Sequence, residues 1–270
     1  MELVKDFVQE RTNPFTAFVS YSDLQTRHYR AIRDNDHVFS RVQLNNDALT
    51  VLGEDPRPFT NPSTGKRYVL TTHVPLNNIP NSQNNVVDLE TGHVERYMVT
   101  DPPHFPYGKN WSPFYFNDQL YMIHGFNPLQ ILKNGKLIMR VPNNTPYTDN
   151  FARFRGGSGG IQRGDRIFGV GHSTIYVPEV HRPTLWVIDT KKNTMEIAEI
   201  EPYQARFPLA DSTSLWTQDG QTYAAIFESS EGWYKMQIRT AERIWRVDLD
   251  ALYAQMPAWP TYTVIHGVYL

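Results

Sequence analysis

The sequence predicts an all-β fold, and three observations support this prediction. Aromatic residues make up 13% of the chain, which also contains 19 prolines and 16 glycines. Short runs rich in aromatic and β-branched residues recur along the chain, and turn-forming pairs such as Asn-Gly and Asp-Gly separate most of them. Apolar residues at helical spacing are hard to find. Many short strands over one uninterrupted composition predict a single domain spanning residues 1–270.

The predicted elements follow these runs in chain order. The predicted strands are residues 16–21, 27–32, 38–44, 68–74, 94–99, 119–126, 136–141, 166–171, 184–188, 194–200, 222–227, 233–238 and 243–247. One stretch, residues 249–255, is predicted as a helix. It ends before Pro257, because proline disfavours helical geometry in the residue that precedes it.

The spacing of five polar, loop-like segments favours a propeller over a sandwich. The segments begin at Asn13, Glu54, Lys109, Arg155 and Asp211. They recur at roughly 40 to 55 residues, close to the length of a four-stranded propeller blade. The sequence therefore predicts a five-bladed β-propeller, in which the loops entering the innermost strands bring these segments together at a central axial pocket.

Composition excludes several classes of protein. A net charge of -2 and a pI near 6.5 provide no basic field for nucleic acid or an anionic membrane. The chain has no cysteine, so thiolate nucleophiles and cysteine-based zinc sites are excluded. The histidines are scattered, and we predict no metal site. The first residues lack the apolar core of a signal peptide, so we expect a soluble, cytoplasmic protein.

The segment 54–57 (Glu-Asp-Pro-Arg) is the strongest candidate for chemistry. Proline stiffens the backbone next to Asp55 and aims its side chain. Arg57 keeps its proton and grips a carboxylate or an anionic substrate with a forked pair of donors. Glu54 or burial would raise the pKa of Asp55 and Arg57 would lower it, so the sequence leaves its protonation open. The alternative interpretation is a surface ion pair of little energetic value.

Two later segments contain groups suited to a sugar or an anion. Lys109 offers a positive charge and Trp111 a flat apolar face for stacking, although a core tryptophan beside a solvated lysine explains the pattern as well. The glycine-rich segment 155–160 and the strand that follows it supply Arg155 and His172 as directed donors. A flexible hairpin turn is the competing explanation for the glycines.

Taken in order, these segments resemble the five-bladed β-propeller superfamily that contains glycoside hydrolase family 130, the β-mannoside phosphorylases, and the related β-1,2-mannosyltransferases. The resemblance extends over residues 13–190 and is most specific at segment 54–57. It implies that Asp55 is the proton donor. It also implies sugar or phosphate contacts from Asn13, Arg30, Glu54, Arg57, Lys109, Asn110, Trp111, Arg155, Ser158 and His172. The implied partner is a saccharide. No cofactor is expected, and inorganic phosphate or a sugar phosphate would serve as a substrate.

The chain departs from the phosphorylase pattern at two places, and this leaves the reaction open. Residues 112–115 read Ser-Pro-Phe-Tyr where phosphorylases carry a glutamate, and the glycine-rich segment lacks the paired prolines that follow it in the family. A hydrolase would need a carboxylate base, for which Asp211, Glu228 and Glu231 are the late-chain candidates. A non-catalytic glycan-binding propeller is a further alternative. So is a protein-interaction propeller, whose outer patch would contain Trp216, Tyr223, Trp233 and Tyr234.

Overall fold

The computed structural model describes residues 1–11, 16–20, 29–34, 37–44, 47–73, 83–97, 109–142, 152–230 and 238–270, and within residues 9–48 it describes the backbone alone. Most residues in these ranges lie in β-strands, which confirms the predicted all-β class. Numbered along the chain, the strands are β1 (Glu2–Arg11), β2 (Thr16–Ser20), β3 (Tyr29–Asp34), β4 (His37–Leu44), β5 (Asp47–Leu52), β6 (Glu54–Thr60), β7 (Arg67–His73), β8 (Gln83–Asp88), β9 (Val94–Tyr97), β10 (Ser112–Phe116), β11 (Gln119–Phe126), β12 (Leu129–Lys133), β13 (Lys136–Val141), β14 (Ala152–Arg155), β15 (Ile161–Arg163), β16 (Arg166–Tyr176), β17 (Glu179–Asp189), β18 (Thr194–Glu199), β19 (Leu209–Gln218), β20 (Gln221–Ser229), β21 (Ile238–Val247) and β22 (Thr263–His266).

Three sheets are four-stranded meanders whose strands pair in chain order: β2–β5, β6–β9 and β10–β13. Local turn chemistry explains their hairpins. Between β10 and β11, Phe116 pairs with Gln119, and the two residues between them, Asn117 and Asp118, have φ values of 48° and 57°. Two-residue hairpins need positive φ at both central positions to match the twist of the strands, and asparagine and aspartate tolerate this region.

The fourth sheet has ten strands and divides into two groups. One group contains β14 to β18 with β22, and the other contains β19, β20, β21 and β1. A single parallel pair, His181 with Leu209, joins β17 to β19. The β1 strand at the start of the chain pairs antiparallel with β21 from Glu2 to Arg11 and so joins the first strand to a late one.

Apolar clusters pack each group of strands against the next one along the chain. Val51 of β5 packs with Val69 of β7, and Leu70 of β7 packs with Met122 of β11. The largest cluster joins β10–β13 to β16–β18, with the fully buried Trp186 among its members. Each buried side chain of this size stabilises the fold by about 1.5–3 kcal/mol. The sheets therefore pack face to face in sequence.

The helix α1 (Leu249–Gln255) coincides with the predicted helix. The Asp248 side chain caps its start by accepting a hydrogen bond from the backbone N–H of Ala251 at 3.1 Å. Pro257 lies in the 3-10 turn that follows, as expected from its lack of a backbone donor. None of the helices in the described ranges is long and apolar enough to cross a membrane.

Three of the polar segments that were predicted as loops lie on strands instead. Residues 54–57 form the start of β6, Arg155 ends β14, and Asp211 lies within β19. Register shifts interrupt β6 between Glu54 and Arg57, and β19 between Ser212 and Ser214. Such bulges break the alternation of apolar and polar residues, which is why these strands escape a pattern search. The strands absent from the prediction are β1, β5, β6, β8, β10, β12, β14, β15, β19 and β22.

Candidate active site

The start of β6 holds Asp55 in an uncommon backbone conformation. Its φ is 50°, and Gly53 two residues earlier has a φ of 119°. A Cβ atom at position 53 would lie 2.7 Å from Thr71 Oγ1, so only glycine fits this turn. Aspartate at positive φ is strained, and strain of this kind concentrates at functional sites.

Lys109 connects the two carboxylates of this segment. Its Nζ atom lies 3.0 Å from Glu54 Oε1 and 3.1 Å from Asp55 Oδ2. The charge of Asp55 raises the pKa of Lys109 far above its ordinary value, against the effect of burial and with help from Glu54. Burial acts to raise the pKa of Asp55, but the charges of Lys109 and Arg57 outweigh burial and lower it. Asp55 is therefore held in its ionised form.

Arg57 is a buried cation whose hydrogen bonds link β6 to Asn110, before β10, and to β19. It is only 4% exposed. Its Nη2 atom donates to Asn110 Oδ1 at 3.0 Å, and its Nη1 atom donates to the backbone carbonyl of Ser212 at 3.3 Å. Asn110 precedes β10 with a φ of 65°, and Ser212 belongs to β19. These bonds hold the guanidinium in place, and its charge lowers the pKa of both Asp55 and Asp211.

Asp211 is held by two histidines. His181 Nδ1 lies 2.7 Å from Asp211 Oδ1, and His172 Nε2 lies 3.3 Å from the same oxygen. The two imidazole rings stack with centroids 5.0 Å apart. Burial acts to raise the pKa of Asp211, but the two histidines and Arg57 hold it far below its ordinary range. Asp211 is 28% exposed and Asp55 26%, so both carboxylates remain within reach of a ligand.

The two histidines differ in charge. Burial lowers the pKa of His172 to about 3, with the charge of Asp211 opposing the shift and those of His181, Arg155 and Arg57 adding to it. For His181, burial again acts to lower the pKa, but Asp211 outweighs burial and raises it. Near neutral pH, His172 is therefore a neutral imidazole, whereas the surroundings of His181 favour its protonated form.

Arg155, at the end of β14, lies at the edge of this group. Its Nη2 atom donates to the hydroxyl of Tyr176, and its guanidinium carbon lies 5.7 Å from the centre of that ring. Its charge acts to lower the pKa of both His172 and His181. Polar residues from β6, β14, β16, β17 and β19, together with Lys109 and Asn110 before β10, thus meet in one cluster, which we call the carboxylate cluster.

Four predicted contact residues either lie in the core or have side chains that the structure does not describe. Trp111 is 1% exposed and packs edge-on against His124 in the core beside β6–β9. Ser158 is fully buried and bonds the carbonyl of Gly159 and the N–H of Val170. Asn13 lies outside the described residues, and Arg30 lies on β3, where only the backbone is described.

The glycines of segment 155–160 serve close packing between strands rather than a flexible hairpin. A Cβ atom at Gly157 would lie 2.1 Å from the carbonyl oxygen of Ser212, and one at Gly156 would lie 2.3 Å from that of Asn110. A Cβ atom at Gly159 would lie 2.6 Å from Phe59 Cβ. These glycines are therefore required because neighbouring strands approach too closely for a side chain, and not because a ligand contacts the backbone.

The late-chain carboxylates have different surroundings. Asp211 joins the cluster, whereas Glu228 is fully buried and receives hydrogen bonds from Tyr203, Arg243 and the N–H groups of Arg206 and Phe207. Glu231 lies outside the described residues. His181 was missed as a site residue, since a single histidine in a strand gives no signal of its own. Its role depends on the pairing of β17 with β16 and β19.

His172, His181 and Asp211 together offer two imidazole nitrogens and a carboxylate oxygen within 4.8 Å of one another. Zinc accepts such donors. However, the hydrogen bond from His181 already uses the carboxylate, and the nearby charges of Arg57 and Arg155 oppose a cation. These charges disfavour a cation at this position, and the absence of a metal site stays a prediction.

The sequence matches no protein-family model and no curated protein. Among solved structures, the chain is similar to an exo-1,5-α-L-arabinanase from a bovine ruminal metagenomic library, with a TM-score of 0.51 and 9% sequence identity over 88% of this chain and 96% of the arabinanase. It is also similar to an exo-β-1,3-galactanase from Phanerochaete chrysosporium solved with β-1,3-galactotriose, with a TM-score of 0.48 and 9% identity over 92% of this chain. This chain spans 66% of the galactanase.

At this identity, the similarity to the arabinanase concerns the fold alone. The all-β chain has the β-propeller-like fold of that glycosidase. The sequence comparisons give no support to glycoside hydrolase family 130 in particular.

Proposed function

We propose that this protein is a carbohydrate-active enzyme that hydrolyses glycosidic bonds at the carboxylate cluster. One observation carries the proposal: the charges of Asp55 of β6, Asp211 of β19 and the buried Arg57 act on one another, and both carboxylates are partly exposed. Glycoside hydrolysis requires a proton acceptor and a proton donor at one reacting centre, and most families use two carboxyl groups for these roles. Here a carboxylate and a histidine paired with a second carboxylate would fill them.

The proposal includes a five-bladed propeller. Its blades would be β2–β5, β6–β9, β10–β13, the group β14–β18 with β22, and the group β19–β21 completed by β1. The pairing of the first strand with β21 supports this arrangement, because such pairing closes a ring of blades. The packing of each group against the next supports it as well.

The charges of the cluster assign roles to its members. Asp55 is ionised, because Lys109 and Arg57 lower its pKa, so it accepts a proton from the attacking water. The water oxygen bonds to the anomeric carbon while the bond to the leaving oxygen breaks. Asp211 raises the pKa of His181 and so favours its protonated form, and His181 supplies the proton that the leaving oxygen takes. This assignment replaces the proton-donor role expected of Asp55.

Water is favoured over phosphate as the molecule that attacks the anomeric carbon. Arg57 was expected to contact sugar or phosphate, but it is buried, and one donor on each terminal nitrogen is already used by Asn110 or Ser212. Lys109 is paired with both Glu54 and Asp55. An incoming phosphate would have to displace these carboxylates, which already neutralise the lysine charge.

The test is an assay of glycoside cleavage with matched variants. The protein is incubated with aryl glycosides, with arabino-oligosaccharides, because the arabinanase shares the fold, and with β-mannosides in the presence and absence of phosphate. Asp55→Asn and Asp211→Asn are expected to lower the rate by roughly 10²- to 10⁴-fold, the usual contribution of acid–base groups. Asp165→Asn is the matched control, since its exposed carboxylate contacts only the Lys191 side chain, at 4.0 Å.

Three outcomes would contradict parts of the proposal. Turnover that survives in both aspartate variants would exclude the carboxylate cluster. Phosphate-dependent cleavage, or synthesis from mannose 1-phosphate, would replace hydrolysis with phosphorolysis. Saccharide binding without turnover on any substrate would identify a glycan-binding propeller.

A further inference from the structure

A second pocket lies away from the carboxylate cluster. Its volume is about 440 Å³, within the range of roughly 300–1,000 Å³ that is typical of small-molecule sites. Strands of four different groups line it, through Phe59, Tyr115, Gln162 and Trp216. Because these residues come from β6, β10, β15 and β19, the pocket lies where several sheets converge.

The pocket and the carboxylate cluster are at opposite ends of the same two strands. Along β6, Phe59 follows Asp55 by four residues, and along β19, Trp216 follows Asp211 by five. At about 3.3 Å per residue, these offsets separate the two regions by roughly 13–17 Å. Between them, Gly157 packs against the backbone of Ser212 too closely to admit even a Cβ atom. The pocket is therefore a distinct site and not an extension of the cluster.

The side chains that line the pocket suit an uncharged ring. Aromatic rings come from Phe59, Tyr68, Tyr115 and Trp216, and neutral hydrogen-bonding groups come from Thr60, Gln162, Thr217 and Gln218. Arg67 is the one charged side chain among the lining residues that the structure describes. The carboxylate cluster, by contrast, consists mainly of charged groups.

The aromatic rings are held in fixed positions before any ligand arrives. Phe59 stacks on Tyr68 with centroids 5.4 Å apart, and Trp216 stacks on Tyr223 at 5.5 Å. Rings fixed in this way lose little conformational freedom on binding. They offer flat apolar surface next to amides and hydroxyls, which is the combination that a sugar ring matches with its apolar faces and its hydroxyl groups.

We propose that this pocket is an accessory saccharide-binding site, which holds a sugar unit while the carboxylate cluster acts on glycosidic bonds elsewhere. The choice of a saccharide as the ligand rests on the proposed function, whereas the position and lining of the pocket do not. Trp216 was considered as part of an outer protein-binding patch. Because it lines this pocket, the proposal assigns its ring to stacking against a sugar instead.

The test measures binding stoichiometry in the full chain. Arabinotriose and mannotriose are titrated calorimetrically into Asp211→Asn, which is expected to bind saccharide without consuming it. Two sites are expected. Trp216→Ala removes the stacking ring, and Thr217→Arg fills the pocket from an exposed position without removing any core group. Each substitution is expected to abolish one site and, in the parent background, to leave turnover of aryl monoglycosides within about twofold.

The outcomes separate this proposal from the proposed function. Unchanged stoichiometry in both pocket variants, or the absence of saccharide binding altogether, would overturn the accessory site. Binding that depends on Trp216 in a protein whose aspartate variants keep full turnover would support the accessory site while rejecting the proposed function. Tyr269→Ala, at a residue that is 66% exposed and outside the pocket lining, provides the matched control for loss of an aromatic ring.

Discussion

His181 Nδ1 lies 2.7 Å from Asp211 Oδ1, and the ionised carboxylate raises the pKa of this imidazole and so favours its protonated form. The charge of Asp211 also acts on Asp55, whose own charge is balanced by Lys109. The cluster thus contains a proton-accepting carboxylate and a proton-donating imidazole whose environments push their pKa values in opposite directions. Such divergence is how acid and base roles are divided within one site.

Removing the Asp211 charge should lower the pKa of His181. The carboxylate is what raises this pKa against burial, so in Asp211→Asn burial will dominate. Titration of the imidazole by NMR in the parent and the variant measures the change. An unchanged His181 pKa would show that Asp211 is not what keeps this imidazole protonated, and the proposed donor would lose its basis.

Replacing Lys109 with methionine should raise the pKa of Asp55, because the largest force lowering this pKa is the lysine charge. Asp55 acts in its ionised form in the proposed mechanism. The acidic limb of the kcat/KM profile should therefore move to higher pH in Lys109→Met. Lys191→Met, at an 81% exposed lysine with one distant ion pair, should leave the profile in place. A profile that does not move in Lys109→Met would contradict the assignment of the acidic limb to Asp55.

Gly157→Ala should destabilise the protein, because the new methyl group would lie 2.1 Å from the backbone oxygen of Ser212. Backbone cannot yield as a flexible side chain can, so the expected loss is on the order of 1–3 kcal/mol or more. Denaturant unfolding measures it. Gly164→Ala is the comparison, since it has a φ of 56° but nothing within 4 Å of the added Cβ, and its cost should be near 1 kcal/mol, from backbone strain alone. Equal losses in the two variants would contradict close packing at Gly157.

Some elements could be predicted to the residue from sequence, whereas the strands that position the two aspartates could not. The limits of β11, β13 and α1 match the predicted ranges to the residue, since hydrophobic alternation and capping are local signals. The strands β6 and β19, which position the two aspartates, contain bulges and many polar residues, and they were assigned as loops. A bulge that re-aims a side chain toward a site also erases the pattern by which a strand is recognised.

The members of the carboxylate cluster were predicted only in part, and the members that were missed depend on tertiary packing. Residue types indicated Asp55, Arg57, Lys109 and Arg155. Burial decided between the alternatives for Trp111, which lies in the core, and for Asp211, which lies in the cluster. The sequence also left open whether Asp55 is charged. That depends on Lys109, which follows it by 54 positions in the chain and approaches only in the folded structure.

The pH dependence of stability should record the neutral state of His172. Burial, with added repulsion from His181, Arg155 and Arg57, lowers its folded pKa to about 3, although Asp211 opposes the shift. As the pH falls below the unfolded value of 6.5, the unfolded chain binds a proton at this imidazole and the folded chain does not. Unfolding is then favoured by about 1.4 kcal/mol per pH unit, until the folded imidazole is itself protonated near pH 3.

His172→Gln should remove this contribution, so its stability should decline less steeply than that of the parent between pH 6.5 and 4, even though the variant loses the contact with Asp211. Denaturant unfolding at several pH values measures both slopes. His266→Gln, at an exposed histidine on β22, should keep the parent slope. Parallel slopes in the parent and His172→Gln would mean that His172 takes up its proton in the folded state. The charge distribution inferred for the carboxylate cluster would then have to be reassigned, because a second cation would lie beside Asp211.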